Sequence, residues 1–183
     1  EIIDMATYNM KKVEFESDKK DGKLVRSLNK LPFLEVDGVI IPQSKAIERF
    51  LAKRYNLMGG SELESFRIDS ICECIRDFKD MYQKVRKFEG DEKEVEMKKW
   101  FNETLVERLE LLETNLDSCD FSVGYNLSLA DVVLFTFITE FFDDKESAFN
   151  ATETTPKIRG IVNHVKNLDR VKKWIEKRPK TDF

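Results

Sequence analysis

Apolar residues recur along most of this chain at steps of three and four, and at steps of two only near its beginning. Ile68, Ile71, Ile75, Phe78, Tyr82 and Val85 form one continuous stripe along a helix. Phe88-Glu89-Gly90 interrupts that stripe. A second helix is predicted over 94–116, with Phe101, Leu105, Leu109, Leu112 and Leu116 on one face. Two antiparallel helices with such seams suit a bundle. Ser61-Glu62-Leu63-Glu64 has the form of a capping box at the start of the first helix. Leu127-Ser128-Leu129-Ala130-Asp131 is a second start signal: Ser128 caps, Asp131 answers it, and Leu127 with Val132 forms a hydrophobic staple. The run from there to Phe142 is apolar nearly all round, which predicts the buried central helix. Pro156 suits a first helical turn. Ile158, Ile161, Val162 and Val165 mark the face of that helix, and Val171, Trp174 and Ile175 a last short one.

The first third of the chain reads differently. Residues 1–8 have the look of a helix tail. Val13 and Phe15 alternate with charged residues as in a half-buried strand. Residues 17–23 are polar, contain Gly22 and read as a loop, and 24–28 as a short helix. Phe33-Leu34-Glu35-Val36 and Val39-Ile40-Ile41 flank Asp37-Gly38, the pattern of a tight hairpin with positive φ at the turn. A helix is expected over 44–55, where Ala46, Ile47, Phe50 and Leu51 fall at helical spacing. Gly59-Gly60 ends this part. The division is therefore a short α/β domain, 1–56, followed by an all-α domain, 61–183.

Composition narrows the chemistry. The chain has 183 residues and a net charge of −4, with basic residues spread among acidic ones, so a nucleic-acid partner is not expected. No segment approaches the roughly 18 apolar residues of a membrane span, so no membrane partner is expected either. Three cysteines, Cys72, Cys74 and Cys119, are an odd and sparse set, which points to a reducing, cytoplasmic compartment. Cys72 and Cys74 are two apart on a helix and face different ways, so they form neither a zinc site nor a redox pair. His164 is the single histidine, which argues against a metal centre.

Two blocks carry a family resemblance. Leu31-Pro32-Phe33-Leu34-Glu35-Val36-Asp37-Gly38 and Pro42-Gln43-Ser44-Lys45-Ala46-Ile47 closely resemble the soluble glutathione transferases, nearest to the sigma class with its glutathione-dependent prostaglandin D synthases, and next to the mu class. Leu127 to Asp131 is similar to the start of the family's central helix, and Lys177-Arg178-Pro179-Lys180-Thr181 to the sigma-class ending. The resemblance implies a thioredoxin-like N-terminal domain, lacking its first strand here, and an all-α helical-bundle C-terminal domain.

It also implies a site. Leu31, before a cis Pro32, presents its N–H and C=O to glutathione as a β-edge would. Gln43 and Ser44 take the γ-glutamyl carboxylate at a helix start. For the glycyl carboxylate, Lys23 falls at the position of the family's Lys and Lys19 at that of its Trp, and Lys30, also counted with the glutathione site, stands where relatives often carry Asn or Gln. Asp77 reaches the γ-glutamyl ammonium of the neighbouring subunit in a homodimer. An apolar electrophile pocket is expected near Tyr82, Val85 and Phe183. The Tyr that activates the thiol in the family falls before Glu1, so no catalytic residue is assigned. Conjugation of the glutathione thiolate to apolar electrophiles, a detoxification chemistry, leads. Prostaglandin-type isomerisation and a non-catalytic ligand-binding or assembly module are the alternatives.

Overall fold

Asp37 and Gly38 both adopt positive φ, 51° and 76°, and close the hairpin between β2 (Phe33–Val36) and β3 (Val39–Pro42). The computed structural model describes Ile2, Ile3 and residues 12–179. Within them β2 is the central strand of a three-stranded antiparallel sheet, order β1-β2-β3, with β1 being Ile2–Ile3. Phe33 and Leu34 of β2 are buried, and α2 (Ser44–Arg54) packs on β2 and β3 through Ile47 and Ala52.

Two expectations fail in this region. Ile2 and Ile3 pair as a strand, so the segment is not a helix tail; the rest of 1–8 lies outside the described residues. Lys12–Lys20 is a helix, α1, where alternation suggested a strand and 17–23 a loop. Two apolar positions are too few to set a period of two, and the Glu, Lys and Asp residues around them tolerate helix well. The expected short helix is a single 3₁₀ turn, Val25–Ser27, anchored by buried Leu24 and Ser27.

The chain divides into two compact units, one running to Tyr55 and rejoined by the chain from Arg178, the other Asn56–Lys177. In the second unit α3 (Glu62–Val85) buries Ile68, Ile71, Ile75, Phe78 and Tyr82, the stripe that the spacing predicted. Its cap forms: the Glu64 N–H donates to Ser61 Oγ at 3.1 Å, and Glu64 Oε2 accepts from the Gly60 N–H at 2.6 Å. The next helix begins at Gly90, whose φ is +57°. It runs as α4 (Gly90–Lys99), a π-helical turn (Trp100–Thr104) and α5 (Leu105–Glu113), so it starts earlier than the pattern suggested.

α6 (Leu129–Glu140) is the core of this unit and packs against both α3 and α8 (Pro156–Asn167). Eight of its twelve residues are buried, including Asp131. The Asp131 carboxylate accepts from Ser128 N (2.7 Å), Ser128 Oγ (2.8 Å) and Ser122 N (2.6 Å), so one side chain both caps α6 and pins the incoming loop. A short helix, α7 (Lys145–Asn150), had no apolar period to announce it; Asp144 caps it through Ser147 N. α9 (Asp169–Lys177) follows α8 and has no fully buried residue. Gly160 of α8 lies against Cys119, where an added Cβ would sit 2.5 Å from the Cys119 carbonyl oxygen.

Candidate functional site

Hairpin register decides which residues meet. Phe33 is paired with Pro42, so the residue before one, Pro32, and the residue after the other, Gln43, emerge at the same end of the sheet. The Leu31–Pro32 peptide bond is cis. Leu28 and Asn29, both at positive φ (58° and 55°), turn the chain into this segment, and the Asn29 N–H is held by the Leu24 carbonyl at 2.8 Å. Leu31 and Pro32 are half-buried, while Lys30, Gln43 and Ser44 are exposed. The structure therefore brings Leu31, Pro32, Gln43 and Ser44 to one rim of the first unit.

Gln43 carries φ +78° and ψ 109°, outside the comfortable range of a residue with a Cβ. Such backbone outliers cluster at ligand-binding positions. The Gln43 carbonyl accepts the first helical bond of α2, from Ile47 N at 3.0 Å, yet no side chain caps the helix and its first turn holds no acid. Among the described residues no side chain thus meets the leading N–H groups of α2 beside the Ser44 hydroxyl, an arrangement suited to an anion. Lys45, in the same turn, is held by Glu48 at 2.8 Å. The strain at Gln43 was not readable from sequence, since no residue-type preference marks a glutamine in left-handed space.

The lysines stand apart from each other in role. Lys23 is exposed and forms ion pairs with Asp18 (2.6 Å) and Asp21 (3.5 Å). The hydrogen bond and charge of Asp18 raise its pKa, so it remains a cation. Asp18 is a partner that sequence reading missed; the turn at Gly22 folds α1 back on Lys23. Lys30 and Lys19 are exposed.

In the second unit, Asp77 is exposed on α3, away from the buried stripe. Val85 is half-buried and lines a groove of ≈ 290 Å³ with Met81, Trp100 and the stems of Lys84 and Lys99. Tyr82 does not line an open pocket. It is 0% exposed, packed edge-on against Phe142 at 4.8 Å and near Trp100, Phe101 and Phe141. The reason lies in its spacing: Tyr82 continues the Ile68–Ile75–Phe78 stripe and must face the core. Burial and the nearby Asp143 push its pKa up to about 12. Phe183 lies outside the described residues.

Comparison with known proteins gives a consistent result. A family profile described as "Glutathione S-transferase, C-terminal domain" matches residues 76–178. Hematopoietic prostaglandin D synthase of Gallus gallus is 35% identical over 179 residues, covering 92% of this chain and 86% of the relative. Glutathione S-transferase 1 of Ascaris suum is 32% identical over 160 residues, covering 84% and 76%. Among solved structures, a monomeric glutathione S-transferase of the hookworm Necator americanus superposes with a TM-score of 0.75 at 27% identity, covering 92% of this chain and 83% of that one. The thioredoxin-like N-terminal part and the helical C-terminal domain are those of this fold.

Proposed function

Because the chain belongs to the glutathione S-transferase family, we propose that it binds glutathione on the rim formed by Leu31, Pro32, Gln43 and Ser44 and passes the thiolate to apolar electrophiles. The observation that carries this reading is the meeting of Pro32 and Gln43 through the hairpin register, beside an α2 start that no described side chain caps. The γ-glutamyl carboxylate takes the Ser44 hydroxyl and N–H, charge-assisted bonds that favour an anion over water. Gln43 bonds the same moiety, and the Leu31 backbone pairs with the cysteinyl backbone. Lys23 and Lys30 supply positive charge for the glycyl carboxylate, with Lys23 partly neutralised by Asp18. A free thiol titrates near 8.5, so the reaction needs the thiolate form. The sulfur then forms a bond to the electrophilic carbon, the leaving group departs with its electron pair, and the thiol proton passes to solvent. No described residue is assigned to thiol activation.

The proposed assembly is a C2 homodimer in which Asp77 reaches the ammonium of the partner's glutathione. Leu63 (68% exposed) and Phe66 (69% exposed) support it, since they share with Asp77 the solvent face of α3 and leave an apolar patch uncovered. A monomer, as described for the hookworm relative, is the contrary outcome, and sedimentation velocity separates the two. The proposed location is cytoplasmic; among the described residues no helix is long and apolar enough to cross a membrane.

Retention on immobilised glutathione, followed by conjugation of 1-chloro-2,4-dinitrobenzene, tests the leading reading. Turnover of a prostaglandin endoperoxide without conjugation favours isomerisation, for which the resemblance to the chicken synthase speaks. Retention with neither activity favours a non-catalytic binding module. No retention removes all three.

A further inference from the structure

The cation expected at the glycyl end of the site is already engaged, and a helix cap explains why. α1 ends at Lys20. Gly22, at φ +75°, turns the chain back. Its N–H donates to the Lys19 carbonyl at 3.2 Å, and the Lys23 N–H donates to the Asp18 carbonyl at 3.0 Å. These two bonds are the paired closure of a Schellman motif, with Gly22 at the left-handed position and Lys23 just after it. The motif sets the residue after the glycine beside the third-last residue of the helix, and an apolar contact frequently joins the two. Here both positions are charged. Lys23 Nζ donates to Asp18 Oδ1 at 2.6 Å and lies 3.5 Å from Asp21 Oδ2.

Backbone bonds therefore bring Lys23 and Asp18 together, which removes part of the ordering cost that weakens most surface ion pairs. Lys23, Asp18 and Asp21 sum to a charge of −1. A ligand carboxylate that approaches the Lys23 ammonium meets two like charges already placed against it, and must displace one of them or share the donors of a single ammonium. Lys19 and Lys30 are exposed, where solvent and salt screen their pull on a carboxylate.

We propose that Asp18 is a specificity-determining residue of the glutathione site. By holding Lys23 it deprives the glycyl carboxylate of its main cation, so the site accepts γ-glutamylcysteinyl thiols whose glycyl end is esterified or amidated as readily as glutathione itself. This inference rests on the glutathione reading above. Recognition at Gln43 and Ser44 is untouched, because such thiols keep the γ-glutamyl carboxylate.

Reduced glutathione and its glycyl monoethyl ester are the probes, and calorimetric titration of the full chain at low salt is the measurement. The ester should bind the parent within about twofold of glutathione. Asp18→Asn keeps the backbone carbonyl that caps α1 and alters only the charge, so the circular dichroism spectrum should not change. It should tighten glutathione about two- to fivefold, the span of an exposed ion pair, and leave the ester where it was. An ester more than about fivefold weaker than glutathione in the parent overturns the proposal, since Lys23 then serves the ligand despite Asp18. A ratio of the two affinities that Asp18→Asn does not shift also overturns it. In both cases glutathione still binds and the wider reading stands; binding of neither probe removes that reading and this inference with it.

Discussion

Replacing Asp131 by Ala removes a carboxylate that accepts three hydrogen bonds at 2.6–2.8 Å, from Ser122 N, Ser128 N and Ser128 Oγ. Bonds to a charged acceptor contribute about 1.5–3 kcal/mol each, roughly 4.5–9 kcal/mol in all. Against this stands the cost of holding a carboxylate where it is 0% exposed, several kcal/mol. The truncation also strands two backbone N–H groups, those of Ser122 and Ser128, in a buried site. The net loss is therefore about 3–5 kcal/mol, the range found when one partner of a buried charged cluster is deleted. That is a large share of the ~5–15 kcal/mol available to a domain, and lowers Tm by roughly 10 °C at this chain length. Urea denaturation, followed by tryptophan emission and repeated by circular dichroism, gives the difference directly. Ser128→Ala loses the hydroxyl's bond to the Asp131 carboxylate together with its cap on the first turn of α6, and should cost about 1 kcal/mol. The two changes share a partner, so their double variant should fall short of the sum by more than about 0.5 kcal/mol. A loss below about 1 kcal/mol for Asp131→Ala refutes the reasoning, because it means that desolvation cancels all three bonds.

Gln43→Gly relieves left-handed strain of about 1–2 kcal/mol and adds chain entropy of about 0.5–1 kcal/mol; stability should rise slightly while retention on immobilised glutathione falls, and a loss of stability would contradict the strain. Gly160→Ala drives a Cβ to 2.5 Å from the Cys119 carbonyl oxygen and 2.7 Å from its Cβ. It should cost about 2 kcal/mol or more, a cost that an unchanged melting temperature would rule out. Asp144 has its pKa lowered by the Ser147 N–H and hydroxyl, at 2.9 and 2.7 Å. A lowered carboxylate stabilises the fold above the ordinary range near 4 and loses that contribution as pH falls through its folded pKa. Asp144→Ala should therefore lower stability by about 1 kcal/mol at pH 7, with the gap to the parent narrowing below about pH 4; a gap that widens in acid reverses the sign argument.

The hairpin was legible because Asp37-Gly38 is one of few dipeptides at ease with two successive positive φ values. The α3 stripe and the Ser61 and Ser128 caps were legible because they depend on neighbours three or four residues away. Lys12–Lys20 was not, since two apolar positions cannot separate a period of two from a helical one. The π-helical turn at Trp100 and the left-handed Gln43 left no trace in residue type, for both follow from what the rest of the fold packs around them. Tyr82 shows the opposite error. Its place in the stripe already required burial, and its assignment to an open pocket set an expectation about site chemistry above the spacing of its own helix.

The central claim concerns the start of α2, and amide NMR tests it at one residue. Titration of the ¹⁵N-labelled chain with glutathione should move the Ser44 amide downfield and saturably as its N–H meets the γ-glutamyl carboxylate, with the effect lost in a glutathione analogue lacking that carboxylate. A Ser44 resonance that stays in place while glutathione binds, or that moves equally with the analogue, would contradict the account.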